Sequence, residues 1–130
     1  MDTFLLSVGW WNFIGSIMMM MALYQPFGQK LFVDWTKIFK DNFVLDYWGK
    51  LWLFWASGLN ILFGLINIMT VKWGYNDVKS FVIWMDLGSY LTFTILSVWG
   101  LKVGRLGSGA YSVFLIFAMW MIWGYLSVTS

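Results

Sequence analysis

The sequence predicts an all-α integral membrane protein, a four-helix bundle with a short amphipathic interfacial helix between the first two membrane spans. Hydrophobic residues make up 61% of the chain and charged residues only 11%, whereas a soluble domain carries about 25% charged residues. Four apolar runs are each about 20 residues long, the length of helix that crosses a hydrocarbon core about 30 Å thick. The chain is also tryptophan-rich, with 11 Trp, a residue that favours the boundary between membrane and water.

The four apolar runs make a single domain over residues 1–130. We predict spans over residues 4–24, 51–71, 81–101 and 110–128. The first run has no basic residue before it and is too long for the apolar part of a signal peptide, so we expect it to be a retained membrane helix. It ends at Pro26 and Gly28, a strong helix stop signal.

Residues 29–43, between the first and second spans, have the pattern of an amphipathic helix. The apolar positions with helical spacing are Leu31, Phe32, Trp35, Ile38, Phe39 and Phe43. Lys30–Asp34 and Lys37–Asp41 form i, i+4 pairs on the opposite face. We expect this segment to lie in the membrane interface, and the alternative is a helix that docks on a partner protein.

The charges of the loops predict the orientation of the spans. The loops after spans 1 and 3 would lie on one side of the membrane and carry Lys30, Lys37, Lys40, Lys50, Lys102 and Arg105. The loop after span 2 would lie on the other side, with Lys72 and Lys79. Because loops rich in Lys and Arg stay on the cytoplasmic side, we predict cytoplasmic loops 1 and 3 in the cell membrane, with both termini outside.

The residue types that the chain lacks exclude several kinds of site. There is no Cys, no His and no Glu, which removes disulfides, Cys/His zinc sites, His-ligated haem and His bases. Residues 18–21 are four methionines, but successive helical side chains point about 100° apart and cannot converge on copper. We expect no metal, no cofactor and, without a basic run, no nucleic-acid partner. The expected partners are the lipid bilayer and other membrane subunits.

Few polar residues lie inside the predicted spans, and four of them lie at similar depth in the outer half, one on each span. These residues are Asn12, Asn67, Asp86 and Tyr125. An ionised carboxylate in hydrocarbon costs at least about 2.5–3.5 kcal/mol, so Asp86 should face the bundle interior, a watery pocket or a partner. If the helix rotations allow it, the four groups form a ligand-binding polar cluster. The alternative is structural, with Asp86 accepting hydrogen bonds from the other three or reaching the headgroups near Lys79.

A second set of small and polar residues is expected to serve helix packing. It consists of Ser57, Asn60 and Gly64 on the second span, spaced three and four residues apart on one face, and Ser16 on the first span. Membrane helices use such residues to approach closely and to hydrogen-bond each other. The alternative is a polar path or a ligand cleft.

Three segments carry a resemblance to known membrane proteins. They are GWWNFIGSIMMMMALYQPFG in span 1, VDW in loop 1 and WMDLGSYL in span 3. With them, nearly the whole chain resembles the small four-helix membrane proteins of the DoxX-like and BphX-like kind. DoxX is associated with a quinol oxidase complex, so the resemblance implies an accessory subunit. It implies no catalytic residue.

These observations favour a non-catalytic accessory or structural subunit of a larger membrane complex, such as a membrane oxidase or monooxygenase. The alternative is a stand-alone carrier or binding protein for a small molecule, with the polar cluster as its site. An enzyme in its own right is less favoured, because one intramembrane aspartate with amides offers little beyond proton transfer.

Overall fold

The computed structural model of the protein describes residues 1–24, 37, 47–104 and 107–130. Over these residues the only regular structure is helical, which confirms the predicted all-α class. The helices are α1 (Asp2–Tyr24), α2 (Tyr47–Trp73), α3 (Asn76–Lys102) and α4 (Ala110–Thr129). All four are long and apolar enough to cross a membrane.

The predicted interfacial helix over residues 29–43 lies outside the described residues, apart from Lys37. The Lys37 carbonyl oxygen accepts a hydrogen bond of 2.8 Å from the backbone N–H of Gly109, the residue just before α4. This bond joins the connection between α1 and α2 to the start of the last helix.

A tight turn at Gly74 and Tyr75 joins α2 to α3. The Gly74 N–H donates a 2.7 Å hydrogen bond to the carbonyl of Thr70. A Cβ atom at Gly74 would lie 2.5 Å from that same oxygen, so only glycine fits this turn. With so short a connection, α2 and α3 run in opposite directions. Asp77 in the first turn of α3 is placed favourably for the helix dipole.

The four helices form two closely packed pairs, α1 with α2 and α3 with α4, and the contacts between the pairs are fewer. The first pair touches backbone to backbone at Gly9 and Gly64. A Cβ atom on Gly64 would lie 2.6 Å from the Gly9 carbonyl oxygen, and one on Gly9 would lie 2.9 Å from the Gly64 oxygen. Small residues that allow such an approach are typical of membrane helix packing.

The two pairs meet in an apolar core near the end of the bundle where α1 and α3 begin. Its buried members come from α1 and α3: Phe4, Leu5, Val8, Val82, Ile83, Leu87 and Tyr90. The ring of Phe4 also reaches α4, where it packs edge-on against Trp123 with the ring centroids 5.6 Å apart. Asp2 and Lys79 form a 2.8 Å ion pair at the same end. We call this the Asp2 end of the bundle.

Large apolar side chains cover much of the outside of the bundle. Examples that are more than half exposed are Leu62, Ile95, Leu115, Met119 and Ile122. Of the four helices, α4 has the smallest buried share over the length that could cross a membrane. An apolar outer surface of this extent suits contact with lipid or with other membrane helices rather than with water.

Candidate functional site

A buried hydrogen bond links Asp86 on α3 to Asn67 on α2. The Asn67 Nδ2 donates to Asp86 Oδ1 at 3.0 Å and to the Phe63 carbonyl at 2.8 Å, which uses both amide hydrogens. Asp86 is only 3% exposed and Asn67 is fully buried. The bond therefore connects the two helix pairs through polar groups that are shielded from the surroundings.

Several oxygen atoms at this point have no hydrogen-bond partner among the described residues. They are Asp86 Oδ2, Asn67 Oδ1 and the hydroxyl of Tyr90, which lies one turn after Asp86 on α3 and is 5% exposed. A buried polar atom without a hydrogen-bond partner lowers the stability of the protein by about 1–3 kcal/mol. These oxygen atoms therefore have unused hydrogen-bonding capacity.

A cavity of about 380 Å³ lies between the two helix pairs and is lined by residues from all four helices. Its polar lining includes Asn12, Ser16, Asn60, Asp86, Ser89 and Tyr90. Aromatic rings form another part of the wall, among them Trp11, Phe63, Phe93 and Phe117. A mostly apolar cavity with a few converging polar groups is the usual form of a small-molecule site, and this volume lies within the usual range of about 300–1,000 Å³.

The electrostatic character of the cavity is set by one residue. Asp86 is the only ionisable carboxylate in its described lining, and that lining contains no lysine or arginine. The two described lysines nearest the Asp2 end of the bundle interact with other side chains. Lys79 pairs with Asp2, and the Lys72 ammonium lies 4.8 Å from the centre of the Trp73 ring.

The structure brings three of the four residues of the predicted polar cluster together. Asp86 and Asn12 both line the cavity, and Asn67 is hydrogen-bonded to Asp86. Tyr125 lies apart from them, because it is 54% exposed and its ring packs against Trp84 on the outer face, with a centroid distance of 6.2 Å.

The residues expected to serve helix packing divide into two groups. Gly64 lies at the contact between α1 and α2, and Ser57 on the same helix is fully buried. Ser16 and Asn60 instead line the cavity. These residues thus contribute both to close helix packing and to the wall of the candidate site.

The predicted polar cluster did not include Tyr90, and no prediction assigned Ser89, Phe63 or Phe117 to the site. The signal for Tyr90 was present, because a residue four positions after Asp86 lies on the same face of a helix. No comparable signal marked Phe63 or Phe117. In a chain with 12 Phe and 11 Trp, an aromatic residue is equally expected at the lipid surface.

This arrangement can bind a small molecule through hydrogen bonds, charge and aromatic contacts. Among the residues the structure describes, no group of three or more acidic side chains lies close enough to hold a metal ion. The chain matches no protein-family model, no curated protein and no solved structure. The resemblance to DoxX-like and BphX-like proteins therefore stays a prediction, and the site is interpreted from its own geometry.

Proposed function

We propose that this protein is a membrane-embedded binding protein or carrier for a small molecule, and that Asp86, Asn12, Asn67 and Tyr90 form its polar site. The observation that supports this proposal is the cavity between the helix pairs, whose lining includes Asp86 and Tyr90, two residues that each carry a buried oxygen without a partner among the described residues. A bound molecule that hydrogen-bonds to both would remove the cost of burying them.

The loop charges support an orientation for this site. We propose that loops 1 and 3 face the cytoplasm and that the Asp2 end of the bundle, with Asp2 and Lys79, faces the outside. Asp86 is ten residues after the first residue of α3, which places it about 15 Å along the helix from that end.

A blocking substitution in the cavity tests the proposal. Gly15 lines the cavity, and a Cβ atom there would meet no described atom within 4 Å. Position 15 therefore has room for a Cβ atom, and the longer side chain of Gly15→Leu should narrow the cavity. Gly88→Leu is the matched control, because Gly88 is exposed, has an equally open Cβ direction and is not part of the cavity lining.

The measurement is mass spectrometry of small molecules that remain with the protein after purification from its native membrane in mild detergent. We expect a bound molecule in the wild type and in Gly88→Leu, and its loss in Gly15→Leu. The proposal is refuted if the wild type carries no small molecule, or if Gly15→Leu retains it to the same extent as the control.

A second function, an accessory subunit of a membrane complex, is favoured by a neighbouring surface that shares Trp11 and Ile116 with the cavity. A groove of about 640 Å³ runs beside α4 and is lined by Trp11, Ile116, Met119, Trp120, Ile122, Trp123 and Leu126. We define these residues as the tryptophan groove. The side of a membrane helix from a partner subunit would fit against it by close packing.

The same purification separates this second function from the first. Other membrane proteins at fixed stoichiometry would support an accessory subunit, and recovery of the chain alone would refute it. Ile122→Trp fills the tryptophan groove and should release such a partner, whereas Gly15→Leu in the cavity should not.

A further inference from the structure

We propose that the ligand of the cavity is a small organic cation, an amine in its ammonium form with an aromatic or aliphatic body, and that Asp86 is its counter-ion. This inference rests on the proposed binding function and adds the chemical class of the ligand. It is carried by the charge of the cavity wall, by the hydrogen-bonding groups left unused there, and by the aromatic side chains around them.

The charge of the wall selects against anions. Asp86 is its single ionisable carboxylate, and its described lining has no basic side chain that would neutralise this group or attract a negative ligand. The buried Asp86 carboxyl group is therefore matched by a ligand that brings a positive charge with it.

The unused hydrogen-bonding groups call for a donor. Both hydrogens of the Asn67 amide are occupied by Asp86 Oδ1 and the Phe63 carbonyl, so the amide has none left for Asp86 Oδ2. The Oδ2 atom and the Tyr90 hydroxyl have no partner among the described residues. An ammonium group has up to three donor hydrogens, enough in number for both oxygens.

The aromatic wall suits an organic cation better than a bare metal ion. Tyr90 and Phe117 lie with their ring centroids 5.2 Å apart, and Phe93 lies 6.2 Å from Phe117. Ring faces attract ammonium groups and also contact apolar carbon. An alkali ion in this cavity would face mostly carbon, whereas it needs several oxygen ligands.

Three probes of matched size and different charge test the proposal. They are phenethylamine, which is a cation at neutral pH, phenethyl alcohol, which is neutral, and phenylacetate, which is an anion. Binding is measured by isothermal titration calorimetry to the full chain in lipid nanodiscs. Empty nanodiscs give the heat of partition into lipid, which is subtracted.

We expect the wild type to bind phenethylamine at least about tenfold more tightly than phenethyl alcohol, and not to bind phenylacetate. Asp86→Asn keeps the shape of the side chain and should remove the preference for the amine. Asp77→Asn is the matched control on the same helix, because Asp77 is exposed in the first turn of α3. It should leave the binding of all three probes unchanged.

The outcomes distinguish this inference from the proposed function. If the alcohol binds as tightly as the amine and Asp86→Asn changes neither, the cationic class is wrong and a neutral ligand site remains. If no probe binds the wild type, the inference fails, and the retained small molecule in the Gly15→Leu comparison decides separately whether the protein binds anything. Should Asp86→Asn not fold, Gly15→Leu must abolish amine binding with the carboxylate intact, and amine binding to that variant would overturn the inference.

Discussion

Replacing Gly64 by alanine tests how closely α1 and α2 pack. The added Cβ atom would lie 2.6 Å from the Gly9 carbonyl oxygen and 2.9 Å from the Phe13 backbone nitrogen. Both are backbone atoms, so neither can rotate away as the end of a side chain could. The two helices must separate by several tenths of an ångström, and overpacking of this kind costs about 1–3 kcal/mol.

Helix propensity acts in the opposite direction. Alanine is favoured over glycine inside a helix by about 0.8–1.0 kcal/mol, so the net effect of Gly64→Ala should lie between no change and a destabilisation of about 2 kcal/mol. Gly58 lies on the same helix, and a Cβ atom there would meet no atom of the described residues within 4 Å. Gly58→Ala should therefore stabilise the protein by up to about 1 kcal/mol.

The assay is reversible unfolding by SDS in mixed micelles, with the free energy of unfolding obtained for both variants. Gly9→Ala should resemble Gly64→Ala, because a Cβ atom at Gly9 would lie 2.9 Å from the Gly64 oxygen. The double variant should cost less than the sum of the two, since helices separated by the first methyl group have room for the second. Equal shifts for Gly64→Ala and Gly58→Ala would refute this reasoning.

Three further substitutions can be measured in the same assay. Asn67→Ala removes the hydrogen bond to Asp86 and should cost about 1–3 kcal/mol, because both oxygens of a buried carboxyl group then lack a partner among the described residues; a cost near zero would contradict this account. Lys79→Met removes the ion pair with Asp2, and because Asp2 is 55% exposed, we expect a loss of at most about 1 kcal/mol that shrinks at high salt. A loss independent of salt would mean that packing, rather than charge, is responsible. Phe4→Ala leaves a void in the apolar core at the Asp2 end and should lower the free energy of unfolding by about 2 kcal/mol. Most of this cost comes from the void itself, because lipid replaces water around the unfolded helices. An effect under about 0.5 kcal/mol would show that the core closes around the void.

The existence of the four helices could be predicted because it depends on composition and length alone. An apolar run of about 20 residues must satisfy its backbone hydrogen bonds internally, and a helix does so. The burial of Asp86 followed from the same physics, since a carboxyl group facing lipid is costly. Its contact with Asn67 was one of the arrangements that the depths of the polar residues allowed.

The rotation of α4 could not be predicted, and this is why Tyr125 was placed in the polar cluster. This helix is apolar all round, so no polar stripe marks its inner face. Its orientation depends instead on shape, for example at Gly124, where a Cβ atom would lie 2.8 Å from the Phe4 ring. Such a fit between distant residues is not visible in a pattern of hydropathy. The side of the membrane on which each loop lies stays a prediction from charge.

The short link through Gly74 and Tyr75 lies at one of two ends at which the helix pairs are tied together. This link joins α2 of one pair to α3 of the other, and the ion pair between Asp2 and Lys79 ties the pairs together at the same end. At the opposite end, the hydrogen bond from the Gly109 N–H to the Lys37 carbonyl oxygen joins the connection after α1 to the start of α4. Separation of the two pairs at either end would therefore require the loss of one of these contacts.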